Sequence, residues 1–215
     1  MLSGFVEKYG LMYSEMLGIN LKSKDEGEIL KWFLAAILYA MPIREISAEK
    51  TYRCFSRHGI LTPEEILDAG WDRLVEILDE GGYTRYDFKT ADKLLEVFGN
   101  LQRFYDGSLS KLHESSSDSA DLENKLKELG KGMGDTTVSI FLRDMRGIWE
   151  KADPKPSPLV REAMKNLGMV DLKAAAEKEK LDLIWLETAL LRLGKDFCRK
   201  SKCLACPIKK ICKNV

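Results

Sequence analysis

Apolar residues recur along this chain at three- and four-residue spacing, and the polar punctuation between them is that of helix ends. Thr62-Pro63-Glu64-Glu65 reads as a helix start. The Thr62 hydroxyl is placed to cap, Pro63 suits the first helical position and Glu65 completes a capping box. Ser157-Pro158 repeats the cap-then-proline signal before Leu159-Val160-Arg161-Glu162. Leu181 to Leu193 is apolar at helical spacing, and Gly194 stands where a glycine commonly stops a helix. Glu28 to Met41 is apolar almost all round, which predicts a helix buried inside the fold. No run of alternating β-branched residues suggests a strand. The pattern predicts an all-α protein of about ten helices. Asp106 to Ala120 is polar, with six serines, and reads as a long surface connection.

Composition adds limits. The 215 residues are 45% apolar and 32% charged, which excludes global disorder. The longest apolar run, Trp32 to Ile43, is about half the roughly 20 residues of a membrane-spanning helix, so no membrane partner is expected. The first residues, MLSGFVEKYG, lack the basic and apolar regions of a secretory signal, and the expected location is the cytoplasm. The zero net charge conceals an asymmetry. From Lys195 to Val215 there are seven basic residues and one acidic, a net +6, so the preceding 194 residues carry 27 basic and 33 acidic residues, a net −6. A basic tail on an acidic body suggests contact with a polyanion. His58 and His113 are the only histidines. Catalysis is therefore expected to rest on carboxylates, lysines or a cofactor.

Four of the five cysteines, Cys198, Cys203, Cys206 and Cys212, fall within fifteen residues in the spacing C-x4-C-x2-C-x5-C. Without a secretory signal, such a cluster points to metal ligation rather than disulfides. Four thiolates can hold a tetrahedral zinc or an iron–sulfur cluster. The gaps do not form the two equal C-x2-C knuckles of a zinc ribbon; they wrap a short chain around one object, as a [4Fe-4S] cubane requires. Cys54, between Tyr52 and Phe55, is expected to be a buried core thiol.

This loop resembles that of the endonuclease III-type iron–sulfur DNA glycosylases, whose spacing is C-x6-C-x2-C-x5-C. The last two gaps are shared, and the first is shorter by two residues. Leu190-Leu191-Arg192-Leu193-Gly194-Lys195-Asp196-Phe197-Cys198 resembles the family's approach to its first ligand, and Cys206-Pro207-Ile208 its third. Upstream, Leu129-Gly130-Lys131-Gly132-Met133-Gly134-Asp135-Thr136-Thr137-Val138 is similar to the family's helix-hairpin-helix core, L-P-G-V-G-x-x-T-A. Glycines there permit a sharp turn whose N–H groups can face a DNA phosphate at the start of the next helix. The resemblance thus assigns DNA contacts to Lys131, Gly132, Met133, Gly134 and Thr137. In Lys151-Ala152-Asp153-Pro154, Asp153 resembles the family's catalytic aspartate, with Ala152 in place of a valine. Breaking an N-glycosidic bond builds positive charge on the sugar, which a nearby anion stabilises.

Bifunctional members carry a lysine two residues after the last hairpin glycine, whose amine forms a Schiff base with C1′. Here that residue is Thr136, so lyase activity is not expected. Phe33 to Met41 resembles the family helix that runs into L-S-A-Q, with Met41 replacing the glutamine that fills the gap left by a flipped base. Gly81-Gly82-Tyr83-Thr84-Arg85-Tyr86 resembles the family's wedge loop, with Tyr83 as the wedge and Arg85 and Tyr86 placed to stack on a base or contact a phosphate. Glu45 and Glu49 lie where the adenine glycosylase branch keeps a further glutamate, but neither matches a motif.

The resemblance implies two helical lobes with duplex DNA between them. One is a barrel-like lobe, 27–151, containing the hairpin; the other is a cluster lobe, 1–26 with 152–215. The implied activity is that of a monofunctional base-excision repair glycosylase, acting as a monomer on duplex DNA bearing a damaged or mismatched base. A DNA-binding protein of the same fold without glycosylase activity is the main alternative, and a helical redox protein the third.

Overall fold

The computed structural model describes residues 1–214, and among them are twelve α-helices: α1 (Leu2–Tyr9), α2 (Tyr13–Met16), α3 (Glu26–Tyr39), α4 (Glu45–Arg57), α5 (Pro63–Gly81), α6 (Asp87–Tyr105), α7 (Leu109–Ser115), α8 (Ser119–Glu128), α9 (Asp135–Asp144), α10 (Pro158–Leu167), α11 (Leu172–Glu179) and α12 (Leu183–Leu193). No strand occurs among the described residues, and none of their helices is long and apolar enough to cross a membrane. The fold is all-α. It divides into two compact units, Leu17–Pro154 and Met1–Met16 with the chain from Lys155 onward.

The unit Leu17–Pro154 is organised around α3. Asp25 caps it by accepting the Glu28 N–H, and every residue from Trp32 to Leu38 has zero exposure. A helix apolar on all sides is stable only when other elements wrap it. Phe33 meets Phe98 and Phe141 edge to face at 5.8 and 5.1 Å. The Trp32 indole N–H donates to the Phe141 carbonyl at 3.0 Å, so the one polar atom of that ring is satisfied inside the core. The capping box at Thr62 forms, with Glu65 reaching back to the Thr62 N–H at 2.9 Å. Helix α5 breaks at Gly70, whose φ of 69° lies in the left-handed region.

Two boundaries differ from expectation. Residues 17–26 and 152–154, the latter including Asp153, belong with this unit rather than with the terminal one. Leu17, Ile19 and Leu21 are buried, and the Asn20 N–H donates to Glu28 at 2.7 Å on α3. The serine-rich stretch 106–120 is not one long connection but holds α7 and the start of α8. Its polar residues work as caps: Ser108 accepts from the Lys111 N–H and Asp118 from the Asp121 N–H. Glu26 accepts from the Leu109 N–H at 2.6 Å, while Leu109 and Leu112 are fully buried. A serine-rich composition suggests a loop; two leucines three residues apart decide for a helix.

In the terminal unit, Phe5 and Val6 of α1 pack with Val160, Ala163 and Met164 of α10 and Leu186, Ala189 and Leu190 of α12. Arg192 joins the two segments of this unit. Its guanidinium donates to the carbonyls of Tyr9 and Leu11 and lies 4.6 Å from the Tyr13 ring centre. Ser157 caps α10, as its position before Pro158 predicts. Gly194 does not stop α12. It keeps helical angles (φ −58°, ψ −46°), and the chain runs on into a π-helical turn, Gly194–Cys198. The glycine serves a close approach instead: a Cβ there would lie 2.3 Å from the Leu159 carbonyl oxygen of α10. Gly194→Ala should therefore destabilise by about 1–3 kcal/mol, as overpacking does, read as a lower urea midpoint despite alanine's better helix propensity.

Candidate DNA-contact elements and cysteine loop

Helix α8 ends on a turn of six residues that leads into α9. Gly132 adopts φ +86°, which favours glycine, and the Met133 N–H donates to the Gly130 carbonyl at 3.1 Å. Met133 and Thr137 point inward, at 4% and 2% exposure, whereas Lys131, Gly132 and Gly134 are exposed. The turn thus anchors itself by two buried side chains, Leu129 and Met133, and presents glycine backbone outward. Gly134 is the N-cap of α9 and supplies no side chain, so no side-chain oxygen of the capping residue occupies the leading N–H groups of that helix. The entry is held by Asn100, whose amide donates to the Leu129 carbonyl at 2.9 Å. An ion pair of 2.6 Å joins Lys127 of α8 to Asp135, the first residue of α9.

Lys93 of α6, which the sequence pattern does not single out, lies against this turn. Its tip would be 3.6–3.9 Å from a Cβ at Gly132, and its amine is 3.5 Å from the Thr137 hydroxyl. Lys93 is 8% exposed. Burial pulls its amine down to about 8, with no carboxylate offsetting that effect. Position gives no cue, because Lys93 sits in a polar-looking helical stretch and only the packing of α6 against the turn buries it.

Asp153 follows the turn after α9. Its side chain is 47% exposed and its carboxylate lies 3.5 Å from Arg146 Nε. Arg146 is buried at 8% exposure, and its guanidinium also donates to the Pro154 carbonyl. Burial lowers the affinity of Arg146 for its proton, and Asp153 opposes that shift. One buried cation therefore grips the backbone on one side of Asp153 and faces its carboxylate. Arg146 is not recognisable from the sequence, where it is one basic residue among many.

The other expected contacts are scattered. Arg85 is exposed beside the Tyr86 ring, at 5.8 Å from its centre. Met41 is half-buried just beyond α3. Tyr83 cannot act as a wedge as it stands: it is 1% exposed and its hydroxyl donates to the Leu38 carbonyl. Burial, with Tyr39 adding to it, raises its phenol above the ordinary range. The left-handed Gly82 (φ 95°) turns Tyr83 inward at the end of α5. The exposed aromatic that follows a few residues on is Phe88, at 57% exposure and tilted against Trp71 at 5.1 Å. Glu49 is engaged by Arg53 at 2.9 Å. Thr136 is exposed and brings no amine.

The cysteine loop starts at the π-helical turn that follows α12. All five cysteines are free thiols, and Cys54 is fully buried as expected. Cys198 and Cys206 back onto the apolar core of the terminal unit. Burial pushes the Cys198 thiol up, as do the charges of Glu162, Cys206 and Cys212, while a hydrogen bond with Asn166 acts the other way. Among the described residues no three His, Cys, Asp or Glu side chains gather as ligands around a metal ion. In a cubane each thiolate binds a different iron, so its sulfurs stand farther apart than around one zinc. Cys198 and Cys206 lie on that apolar backing, Cys203 is exposed, and Lys200, Lys202, Lys209, Lys210 and Lys213 are exposed near them; four thiols are a donor set that suits an iron–sulfur cluster.

No protein-family model and no curated protein matches the chain.

The buried Lys93 makes stability depend on pH with a definite sign. Between about 8 and the ordinary lysine value of 10.5 the native amine has shed a proton that the unfolded chain still holds. The unfolded state then binds more protons, so this term raises stability as pH climbs through that window. Below it, the buried charge is a standing cost. Lys93→Met should be more stable than wild type at pH 7, by roughly a few kcal/mol at most, and the gap should narrow by pH 10. Urea unfolding of both proteins from pH 7 to pH 10 measures it.

Proposed function

We propose that this chain is a monofunctional DNA glycosylase, which binds duplex DNA carrying a damaged or mismatched base and hydrolyses the N-glycosidic bond. The observation that carries this reading is the clamp on Asp153. A half-exposed carboxylate is held by a buried guanidinium that also fixes the adjoining Pro154 carbonyl. A carboxylate set beside a fixed cation and open to the surface can face a developing positive charge, which is what electrostatic stabilisation of a cationic transition state demands. As the base departs with its electrons, positive charge grows on C1′ and the ring oxygen. Asp153 faces that charge or aligns the water that attacks C1′, and the water's proton passes to solvent or to the leaving base. Thr136 carries no amine, so the sugar forms no imine there and the chemistry ends with an abasic site.

The glycine turn supports DNA binding in the same reading. Its outward backbone and the N–H groups of α9 suit a phosphate oxygen, and Lys131 adds charge. Met41, Arg85 and Tyr86 remain candidate contacts. Cys198, Cys203, Cys206 and Cys212 would hold a [4Fe-4S] cluster, whose contribution is to tie the basic C-terminal loop into one shape.

Duplexes each bearing one lesion, followed by alkali, test the activity. Wild type should leave alkali-labile sites with one of them, and borohydride should trap no covalent adduct. Asp153→Asn should lose on the order of 10²–10³ in rate while keeping DNA affinity. Arg146→Leu should lose activity comparably, since the carboxylate is no longer held. DNA binding without base release from any duplex would instead assign the chain to non-catalytic DNA binding.

The metal content is an independent check. Protein purified without oxygen should be brown with about four irons per chain, and one zinc without iron would refute the cluster.

A further inference from the structure

A cation buried without a counterion is an unfavourable feature that a fold keeps only for a reason. Lys93 has one hydrogen-bond partner, the Thr137 hydroxyl, at the outer limit of 3.5 Å, and three N–H bonds to donate. Thr137 is the third residue of α9, so the ammonium stands at the positive end of that helix, which repels it further. Between the amine and the surface lies Gly132. A side chain at 132 would rest in contact with the tip of Lys93 and cover it; glycine leaves it covered by backbone alone. The charged groups around the turn do not resolve the deficit. Asp135 is 91% exposed and already paired with Lys127. Glu96 lies beside Gly130, against the opposite end of the turn.

We propose that Lys93 is a phosphate-binding residue of the hairpin, its ammonium reaching past Gly132 to the same DNA phosphate that the Gly132–Gly134 backbone and the α9 N-terminus face. The proposal rests on the DNA-binding reading and specifies the ligand chemistry of that site: one backbone phosphate monoanion, with no preference for base sequence. The phosphate supplies the missing negative charge and accepts the free N–H bonds. It also accepts from the leading N–H groups of α9, which no capping side chain occupies. The stability that a buried charge removes from the free protein is regained when the anion is seated.

The test measures binding of a duplex containing a tetrahydrofuran abasic-site analogue, from 50 to 300 mM KCl, for wild type, Lys93→Met and Lys93→Gln. Both variants keep most of the side-chain length and remove charge, so the result does not depend on one of them folding. With one fewer phosphate neutralised, the slope of log affinity against log salt should fall by roughly 0.9. Affinity near 100 mM salt should drop about five- to tenfold, and equally for duplexes of unrelated sequence. Replacing the phosphate at that position by a neutral methylphosphonate should weaken wild type and leave both variants unmoved. Folded variants with wild-type affinity and salt slope would overturn the role of Lys93 alone. Wild type that binds no duplex at any of these salt concentrations would overturn the DNA reading itself.

Discussion

The constraint on which the larger unit depends is that α3 has no face for water. Seven consecutive residues, Trp32 to Leu38, are completely enclosed, so every helix around them must find a position that covers part of that cylinder. Helix α9 is among them, joined to α3 through the Trp32–Phe141 hydrogen bond. The glycine turn opens α9, and the Arg146–Asp153 pair follows it. The surface elements proposed to bear chemistry are therefore extensions of a helix whose placement is dictated by the core. A scaffold of this kind holds a turn and a carboxylate without relying on the mobility of long loops.

Charge is handled in two different ways in that unit. Arg143 and Asp144 are both buried and neutralise one another at 2.9 Å, a pair sealed from solvent. Arg146 is buried too, but its carboxylate partner, Asp153, is half outside. Lys93 is buried with no carboxylate at all. Only the first of these cations faces a carboxylate that is itself buried. The other two lie beside the surface features suited to an anion or a developing cation.

Legibility from the sequence follows the range of the forces involved. Caps at Thr62 and Ser157, the enclosed helix 28–41 and the lack of strand patterning depend on residues a few positions apart, and they are readable. Gly194 misleads because a glycine past an apolar run looks like a stop, whereas its purpose is set by Leu159, distant in sequence. The helix within 106–120 is hidden because serine caps and serine loops share a composition. The glycine turn and Asp153 are visible as motif residues. What supports them is not: Lys93 and Arg146 are ordinary basic residues until tertiary packing removes their water. The enclosure of Tyr83 is hidden for the same reason, since burial is decided by the turn at Gly82 and the carbonyl it meets on α3.

The terminal unit is assembled from segments that lie far apart in the chain, Met1–Met16 and the stretch from Lys155 onward, with Leu17–Pro154 between them in sequence as an insertion. During synthesis this order has a kinetic consequence. The inserted unit has all of its own residues once the ribosome has passed position 154 and can fold while elongation continues. Helix α1 must meanwhile wait, its Phe5 and Val6 without their partners on α10 and α12, until those helices emerge. Arg192 then captures the carbonyls of Tyr9 and Leu11 and closes the circuit between the two segments. The cysteines lie beyond Arg192, so they leave the ribosome after α1 to α12 have been made, and the loop that carries them meets helices already complete.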